Sequence, residues 1–121
     1  MKIHESAENY LETILVLSKQ QPQVRSIDIA TELGFSKPSV SVAMKNLREN
    51  GFIIVNDHGH ISLTESGHQI ANTIYERHTL LCEWLEHIGV SKDVAEQDAC
   101  KIEHVLSPET FDAIKNYIAS R

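Results

Sequence analysis

A thiol, a carboxylate and an imidazole occur close together in the segment Cys100-Lys101-Ile102-Glu103-His104. On a helix, positions i, i+3 and i+4 lie on one face, because successive residues turn by about 100°. Thiolate, carboxylate and imidazole groups are all ligands for transition metals. The spacing of Cys100, Glu103 and His104 therefore indicates a metal site. The alternative is a charged surface patch around a partly buried cysteine.

Further candidate ligands occur as pairs with helical spacing: His78 with Cys82, Asn9 with Glu12, and Glu96 with Cys100. The spacing alone leaves open whether these pairs meet in space. The remaining histidines outside the hairpin have no such partner, and we assign no ligand role to His4, His68 or His87.

Most of these residues must lie on helices, and the apolar periodicity of the sequence predicts six helices. They cover residues 6–20, 27–33, 36–50, 65–88, 92–106 and 107 to the end, with Ser6, Ser26, Ser36, Thr64 and Ser91 as expected N-caps. Two short apolar segments, 52–55 and 61–63, flank a Gly-containing turn and predict a β-hairpin. The fold class is therefore mainly α. A winged helix-turn-helix occupies residues 1–66, and a helical region occupies residues 67–121.

The second helix of a helix-turn-helix enters the major groove of DNA and reads bases with its N-terminal residues. The residues expected to be exposed there are Ser36, Lys37, Ser39, Val40 and Ser41. Lys45 and Arg48 are expected to neutralise phosphates together with Lys37, and His58 and His60 on the wing to do so weakly. These features favour double-stranded DNA as the partner over a plain helical core with solvated lysines.

Composition narrows the function classes. The chain has 121 residues, 41% of them hydrophobic, which is enough for a folded core and argues against disorder. Its net charge of −6 argues against coating DNA by bulk charge, but not against a local basic patch. No basic-then-apolar leader and no apolar run long enough for a membrane occurs, so a cytoplasmic protein is expected. In that compartment Cys82 and Cys100 are expected to be reduced.

Enzyme motifs are missing from the sequence. It contains no nucleophile elbow, no phosphate-binding loop and no His-Glu-x-x-His pattern. An enzyme with a small-molecule substrate is therefore not expected, and a metalloenzyme is disfavoured. A metal-independent dimerisation module is a further alternative. In the last helix, Phe111, Ile114, Tyr117 and Ile118 are expected to form an interface rather than a cofactor pocket.

Five segments of the chain form a recognisable set: Glu8-Asn9-Tyr10-Leu11-Glu12-Thr13-Ile14, Ser36-Lys37-Pro38-Ser39-Val40-Ser41, Leu63-Thr64-Glu65-Ser66-Gly67, Arg77-His78, and Cys100-Lys101-Ile102-Glu103-His104-Val105-Leu106-Ser107. Together they resemble the diphtheria toxin repressor and manganese transport regulator family. The resemblance covers nearly the whole chain, and the last segment is its most specific part.

The resemblance implies a homodimeric transcriptional repressor of metal-uptake or metal-homeostasis genes that binds its DNA operator when metal is present. Residues 67–121 would then form a metal-binding and dimerisation domain. Carried over by position, the ligands are Asn9, Glu12, His78, Cys100, Glu103 and His104, with Cys82 and Glu96 at an ancillary site of the iron branch. The alternative is a winged-helix regulator that responds to a non-metal signal or to none.

The ligand positions combine features of the two branches of this family. Cys100 resembles the iron branch, whereas Glu12 resembles the manganese branch, and Asn9 departs from both. A thiolate ligand and the Irving–Williams order favour Fe(II) over Mn(II). We therefore expect Fe(II) first and Mn(II) next, with Zn(II), Co(II) or Ni(II) able to bind in vitro.

Overall fold

The computed structural model describes residues 5–120, and its contacts divide the chain into two units, Met1–Asn72 and Thr73–Arg121. His4 lies outside the described residues. The secondary structure consists of helices α1 (Glu5–Gln20), α2 (Ser26–Leu33) and α3 (Lys37–Glu49), strands β1 (Ile53–Val55) and β2 (Ile61–Leu63), and helices α4 (Glu65–His87), α5 (Lys92–Ile102) and α6 (Pro108–Ala119). This order confirms the predicted mainly-α fold with a winged helix-turn-helix.

The first unit is built around the apolar stripe of α1. Tyr10, Leu11, Ile14, Leu15 and Leu17 are all buried, as expected for apolar positions that recur with helical spacing. Helices α2 and α3 are joined by a short turn at Gly34, whose positive φ of 71° suits glycine. The buried stripe of α1 therefore packs against α2 and α3 in one core.

The wing is an antiparallel hairpin. Ile53 of β1 pairs with Leu63 of β2, and Val55 pairs with Ile61. Ile53 and Ile61 are buried while Ile54 and Ser62 are exposed, which is the alternation of a sheet with one face on the core. Val24 extends the hairpin by bridging to Ile61, whose N–H donates to the Val24 carbonyl over 2.7 Å. The bridge attaches the segment before α2 to the wing.

The expected N-caps are partly wrong. Ser6 lies inside α1, and Ser26 is the first residue of α2 rather than its cap. The cap of α2 is Arg25, whose backbone N–H donates to Asp28 Oδ2 over 2.8 Å. The prediction is confirmed for Ser36, whose hydroxyl accepts from the Ser39 N–H, and for Thr64, whose hydroxyl accepts from the Gly67 N–H. A carboxylate in the first turn of α2 thus satisfies the backbone N–H of the cap residue itself.

Helix α5 ends earlier than expected, at Ile102 instead of near Leu106. The Glu103 N–H still donates to the Ala99 carbonyl, so the helical position of Glu103 relative to Cys100 is preserved. Beyond it the chain forms a turn and leads into Ser107, the extended N-cap of α6. Pro108 disfavours helical backbone at the residue before it, which explains why α5 cannot run into α6.

The second unit packs parts of α4, α5 and α6. Its buried apolar residues are Ile74, Leu81, Ala95, Ala99 and Phe111. On its surface Lys115 of α6 donates to Glu76 of α4 over 2.6 Å, and this hydrogen bond raises the pKa of Lys115 above its usual value. Both side chains are about half exposed, so the pair stabilises the unit only slightly.

None of the helices between residues 5 and 120 is long and apolar enough to cross a membrane. The domain boundary predicted between residues 66 and 67 stays a prediction.

Gly67, in the first turn of α4, lies directly against the wing. A Cβ atom at this position would lie 2.0 Å from the Phe52 carbonyl oxygen. That carbonyl also accepts a hydrogen bond from the Thr64 N–H, so the backbone here cannot move away freely. We expect Gly67→Ala to lower the free energy of unfolding by about 1–3 kcal/mol, as overpacked sites do.

Urea unfolding followed by circular dichroism measures this change. His68→Ala, at the exposed neighbouring position, is the matched control and should change stability by no more than about 0.5 kcal/mol. A Gly67→Ala variant as stable as this control would show that the close approach of α4 to Phe52 does not exclude a side chain at position 67.

Candidate metal centre and DNA-binding helix

Three potential ligands converge in the second unit. One ligand atom from each of His78, Cys100 and Glu103 lies within 4.8 Å of the others. His78 comes from α4, Cys100 from the last turn of α5, and Glu103 from the residue that follows α5. The i, i+3 spacing of Cys100 and Glu103 thus places both beside one imidazole of a neighbouring helix.

Glu103 is the centre of this cluster. Its side chain is fully buried, and Oε2 lies 2.8 Å from Nδ1 of His78. Its other oxygen, Oε1, has no hydrogen-bond partner among the described residues. His104 Nε2 lies 3.4 Å from Oε1, at ion-pair distance but without hydrogen-bond geometry. A buried carboxylate oxygen left without a hydrogen bond is costly, and a cation would satisfy it.

The donors suit a divalent transition metal. The set offers one imidazole, one carboxylate and one thiol, and Cys100 is exposed, so an ion can reach it from solvent. Sulfur together with nitrogen ligands suits zinc and the later first-row metals, whereas a carboxylate also suits manganese. The residues present therefore fit a divalent transition metal, without selecting one.

The other predicted ligands lie in different surroundings. Cys82, one turn after His78 on α4, places Sγ 3.6 Å from Nε2 of the same imidazole. Glu96 is exposed on α5, one turn before Cys100. Asn9 and Glu12 are half-buried on adjacent turns of α1, which belongs to the first unit. The assignments of these four residues and of His104 as ligands stay predictions.

Arg77 supports the cluster, and sequence reasoning assigned it no role. Its Nη1 donates to the backbone carbonyls of Glu103, over 3.0 Å, and Leu106, over 2.9 Å. The guanidinium also lies 5.2 Å from the centre of the Phe111 ring of α6. Arg77 thus satisfies carbonyls left open where α5 ends and holds the backbone of Glu103 in place. An arginine next to a candidate ligand was a visible cue, but the carbonyls that it binds are not encoded in any local pattern.

Helix α3 presents a polar and basic face. Lys37, Ser39 and Ser41 are exposed as predicted, together with Ser36 before the helix and Lys45 and Arg48 further along it. The prediction of exposure is wrong for Val40, which is fully buried, because Val40, Met44 and Leu47 share the side that packs on the core. The exposed valine is Val42, at 61%. The i, i+4, i+7 spacing of the buried residues could have distinguished the two valines.

The wing carries a second group of basic side chains. The Arg25 guanidinium lies 3.2 Å from Nε2 of His60, and the His58 ring lies beside that of His60. Asn56 orders the turn by accepting hydrogen bonds from the backbone N–H groups of His58 and His60. His58 and His60 therefore lie together at the wing tip, and their contact with phosphates stays a prediction.

Two family models match successive parts of the chain. Residues 2–61 match the iron dependent repressor N-terminal DNA binding domain. Residues 64–120 match the iron dependent repressor metal binding and dimerisation domain. Transcriptional regulator MntR of Escherichia coli O6:H1 is 34% identical over 111 residues, which cover 92% of this chain and 72% of the relative. The chain belongs to the iron-dependent repressor and MntR family.

Other relatives agree with this assignment. The HTH-type transcriptional regulator MntR of Geobacillus kaustophilus is 31% identical, with 93% of this chain and 80% of the relative covered. The structure described as a manganese-dependent transcriptional repressor complex with manganese matches with a TM-score of 0.84 and 29% identity. The alignment with that structure covers 93% of this chain. The structure of the metal-dependent transcriptional regulator MtsR has a TM-score of 0.86 at 24% identity, with 93% of this chain covered, and shows the fold alone.

The family consists of metal-dependent transcriptional regulators and not of enzymes, which confirms the resemblance inferred from the sequence. The chain spans about half the length of these two solved structures, 52% in the manganese complex and 53% in MtsR.

The two hydrogen bonds from Arg77 predict a measurable contribution to stability. We expect Arg77→Met, which keeps much of the side-chain volume, to lower the free energy of unfolding by about 1–3 kcal/mol, because it leaves two carbonyls without their donor. Urea unfolding in chelator measures this without a contribution from metal. Lys101→Met, at an exposed position of α5, is the control and should change stability by no more than about 0.5 kcal/mol. Equal stability of the two variants would refute the role of Arg77.

Proposed function

We propose that this chain is a metal-activated transcriptional repressor that binds an operator in double-stranded DNA as a homodimer, with Fe(II) as the preferred effector and Mn(II) next. The observation that carries the proposal is the convergence of His78, Cys100 and the buried Glu103 within 4.8 Å. A winged helix-turn-helix joined to such a cluster combines a DNA reader with a metal receptor. We place this activity in the cytoplasm, where the operator is accessible.

The side chains of the cluster act as a receptor for positive charge. Without metal, the Glu103 carboxylate accepts a hydrogen bond from Nδ1 of His78. When bound, a divalent ion supplies positive charge that neutralises the Cys100 thiolate and the Glu103 carboxylate. Nδ1 of His78 then has to offer its lone pair instead of a proton. Asn9, Glu12 and His104 are further ligands expected from the family.

Repression follows from a shift between conformations of the dimer. A divalent ion held by these residues would favour the arrangement in which they converge, and it would shift the equilibrium only by its difference in affinity between the two arrangements. In that arrangement the two α3 helices have the spacing of successive turns of the major groove. The chemistry of the cluster thereby determines whether the operator is bound.

Fe(II) is favoured by the donor set. A thiolate from Cys100 binds later first-row metals better than Mn(II), and Mn(II) binds weakest at a given site in the Irving–Williams order. Zn(II), Co(II) and Ni(II) should bind in vitro for the same reason. The carboxylate of Glu103 keeps Mn(II) as the next effector, in line with the manganese complex of the solved relative.

A groove on the second unit supports the homodimer. It has a volume of about 570 Å³ and is lined by the C-terminal part of α4 and by Tyr117 and Ile118 of α6. Ile88 and Tyr117 are more than half exposed, as expected for apolar residues that meet a second copy. Phe111 does not share in this surface, because it is buried beneath Arg77 in the same chain. We therefore propose Tyr117 and Ile118, and not Phe111, as the residues of the last helix that meet a second copy.

Operator binding by the purified protein tests the proposal. Fluorescence anisotropy with a promoter pool is measured in anaerobic buffer, first with chelator and then with Fe(II), Mn(II) or Zn(II) added singly. We expect binding only with metal, and the tightest complex with Fe(II) at free-metal concentrations like those of a cell. Equal binding in chelator would instead support a winged-helix regulator that responds to another signal.

Glu103→Gln should remove the negative charge of the buried carboxylate while preserving the size of the side chain. Because the amide lacks the negative charge, we expect at least a tenfold loss of metal affinity and a matching loss of metal-dependent operator binding. Glu109→Gln, at an exposed position of α6, is the charge-matched control and should behave as the unmodified chain. Normal metal and operator binding by Glu103→Gln would contradict the assignment of this carboxylate.

The two valines of α3 separate DNA contact from packing. We expect Val42→Ala to weaken operator binding several-fold without changing stability, since an exposed valine can contact a thymine methyl group. Val40→Ala should lower the free energy of unfolding by about 2 kcal/mol because it leaves a cavity in the core. Anisotropy and urea unfolding on both variants check this. The opposite pattern would show that Val40, and not Val42, lies on the face of α3 that contacts DNA.

A further inference from the structure

The His78 imidazole has a sulfur or oxygen neighbour at each ring nitrogen. Nδ1 lies 2.8 Å from Glu103 Oε2 and 3.8 Å from Cys100 Sγ. Nε2 lies 3.6 Å from Cys82 Sγ, within the range of a hydrogen bond to sulfur. One edge of the ring therefore faces the cluster, and the other edge faces Cys82.

The two edges cannot perform the same chemistry. A neutral imidazole offers a lone pair at one nitrogen and carries a proton at the other. Nδ1 is the nitrogen that lies beside Cys100 and Glu103, so it is the one placed to bind metal. The proton then resides on Nε2, which faces Cys82 and needs an acceptor there.

We infer that Cys82 is a positioning residue that accepts a hydrogen bond from Nε2–H of His78, and not a ligand of a second metal. This inference rests on the proposed function only in assuming that the cluster binds a divalent metal. It differs from the sequence-based prediction, which placed Cys82 and Glu96 at an ancillary site. In the described part of the chain, the group of converging ligands includes Cys100 and Glu103 but neither Cys82 nor Glu96.

The helix makes Cys82 suitable for this role. His78 and Cys82 are four residues apart on α4, so their side chains lie on one face about one turn apart. Cys82 is also half-buried, which limits competition from water for the Nε2 proton. Such an outer partner orients the imidazole, determines which nitrogen carries the proton and raises the basicity of the ligating nitrogen. Loss of such partners typically costs about 10–100-fold in metal affinity.

Co(II) provides a probe that separates a ligand from an outer partner. Anaerobic titrations follow the sulfur-to-cobalt charge-transfer band and yield the Co(II) affinity. We compare the unmodified chain with Cys82→Val, which removes the acceptor, Cys82→Ser, which restores one, and Cys100→Ser. Thr79→Val, at an exposed position next to His78, is the control.

We expect Cys82→Val to bind Co(II) about 10–100-fold more weakly and Cys82→Ser to recover most of that loss. The charge-transfer band at saturation should be unchanged in both variants and lost in Cys100→Ser. A band reduced by about half in Cys82→Ser would show that Cys82 is a ligand and would overturn the inference. An unchanged affinity in Cys82→Val would reduce Cys82 to a packed thiol and would overturn it equally.

Operator binding measured in the same samples keeps this inference separate from the proposed function. DNA binding that is independent of Co(II), together with the expected band and ranking of affinities, would refute the metal-activated repressor and support the role of Cys82. Metal-dependent DNA binding with a reduced band in Cys82→Ser would support the metal-activated repressor and refute the role of Cys82.

Discussion

The burial of the Glu103 carboxylate is the constraint on which the second unit depends. A buried carboxylate needs a nearby cation or several hydrogen bonds, because removing its charge from water costs several kcal/mol. Here one oxygen accepts from His78, and the other has no hydrogen-bond partner within residues 5–120. Arg77 compensates for none of this charge directly, since it binds the backbone carbonyl of Glu103 and not its side chain. The folded chain thus maintains an incompletely satisfied anion beside a thiol and an imidazole, which is a suitable arrangement for receiving a metal ion.

The proposed function connects this anion to a DNA reader. The candidate ligands come from α4 and from the end of α5, so a bound cation would restrain two helices through a few side chains. The segment that follows Glu103 leads directly into α6, whose C-terminal half lines the groove assigned to the dimer. In the proposed dimer, a short segment of the chain therefore connects the charge at Glu103 with the helix that lines the interface. In this account the metal contributes charge, and the protein contributes the connection between that charge and the spacing of the DNA-reading helices.

Local patterns in the sequence predicted most of the fold and the nucleus of the site. Cys100 and Glu103 keep their helical spacing even though α5 ends at Ile102, because the Glu103 N–H still donates to the Ala99 carbonyl. What could not be predicted depends on contacts between distant segments. The hydrogen bonds of Arg77, the close approach of Gly67 to Phe52 and the contact of the His78 ring with Glu103 all join residues that no local pattern relates. The burial of Val40 is different, because helical periodicity already separated it from Val42.

X-ray absorption at the metal edge, on the protein loaded anaerobically with Fe(II), tests the central claim most directly. The spectrum resolves sulfur from nitrogen and oxygen in the first coordination shell, and it does not depend on DNA. The account predicts a single sulfur, lost in Cys100→Ser and retained in Cys82→Ser, together with nitrogen and oxygen scatterers from His78 and Glu103. A first shell without sulfur, or one unchanged by both Cys100→Ser and Glu103→Gln, would show that the metal binds elsewhere and would contradict the account.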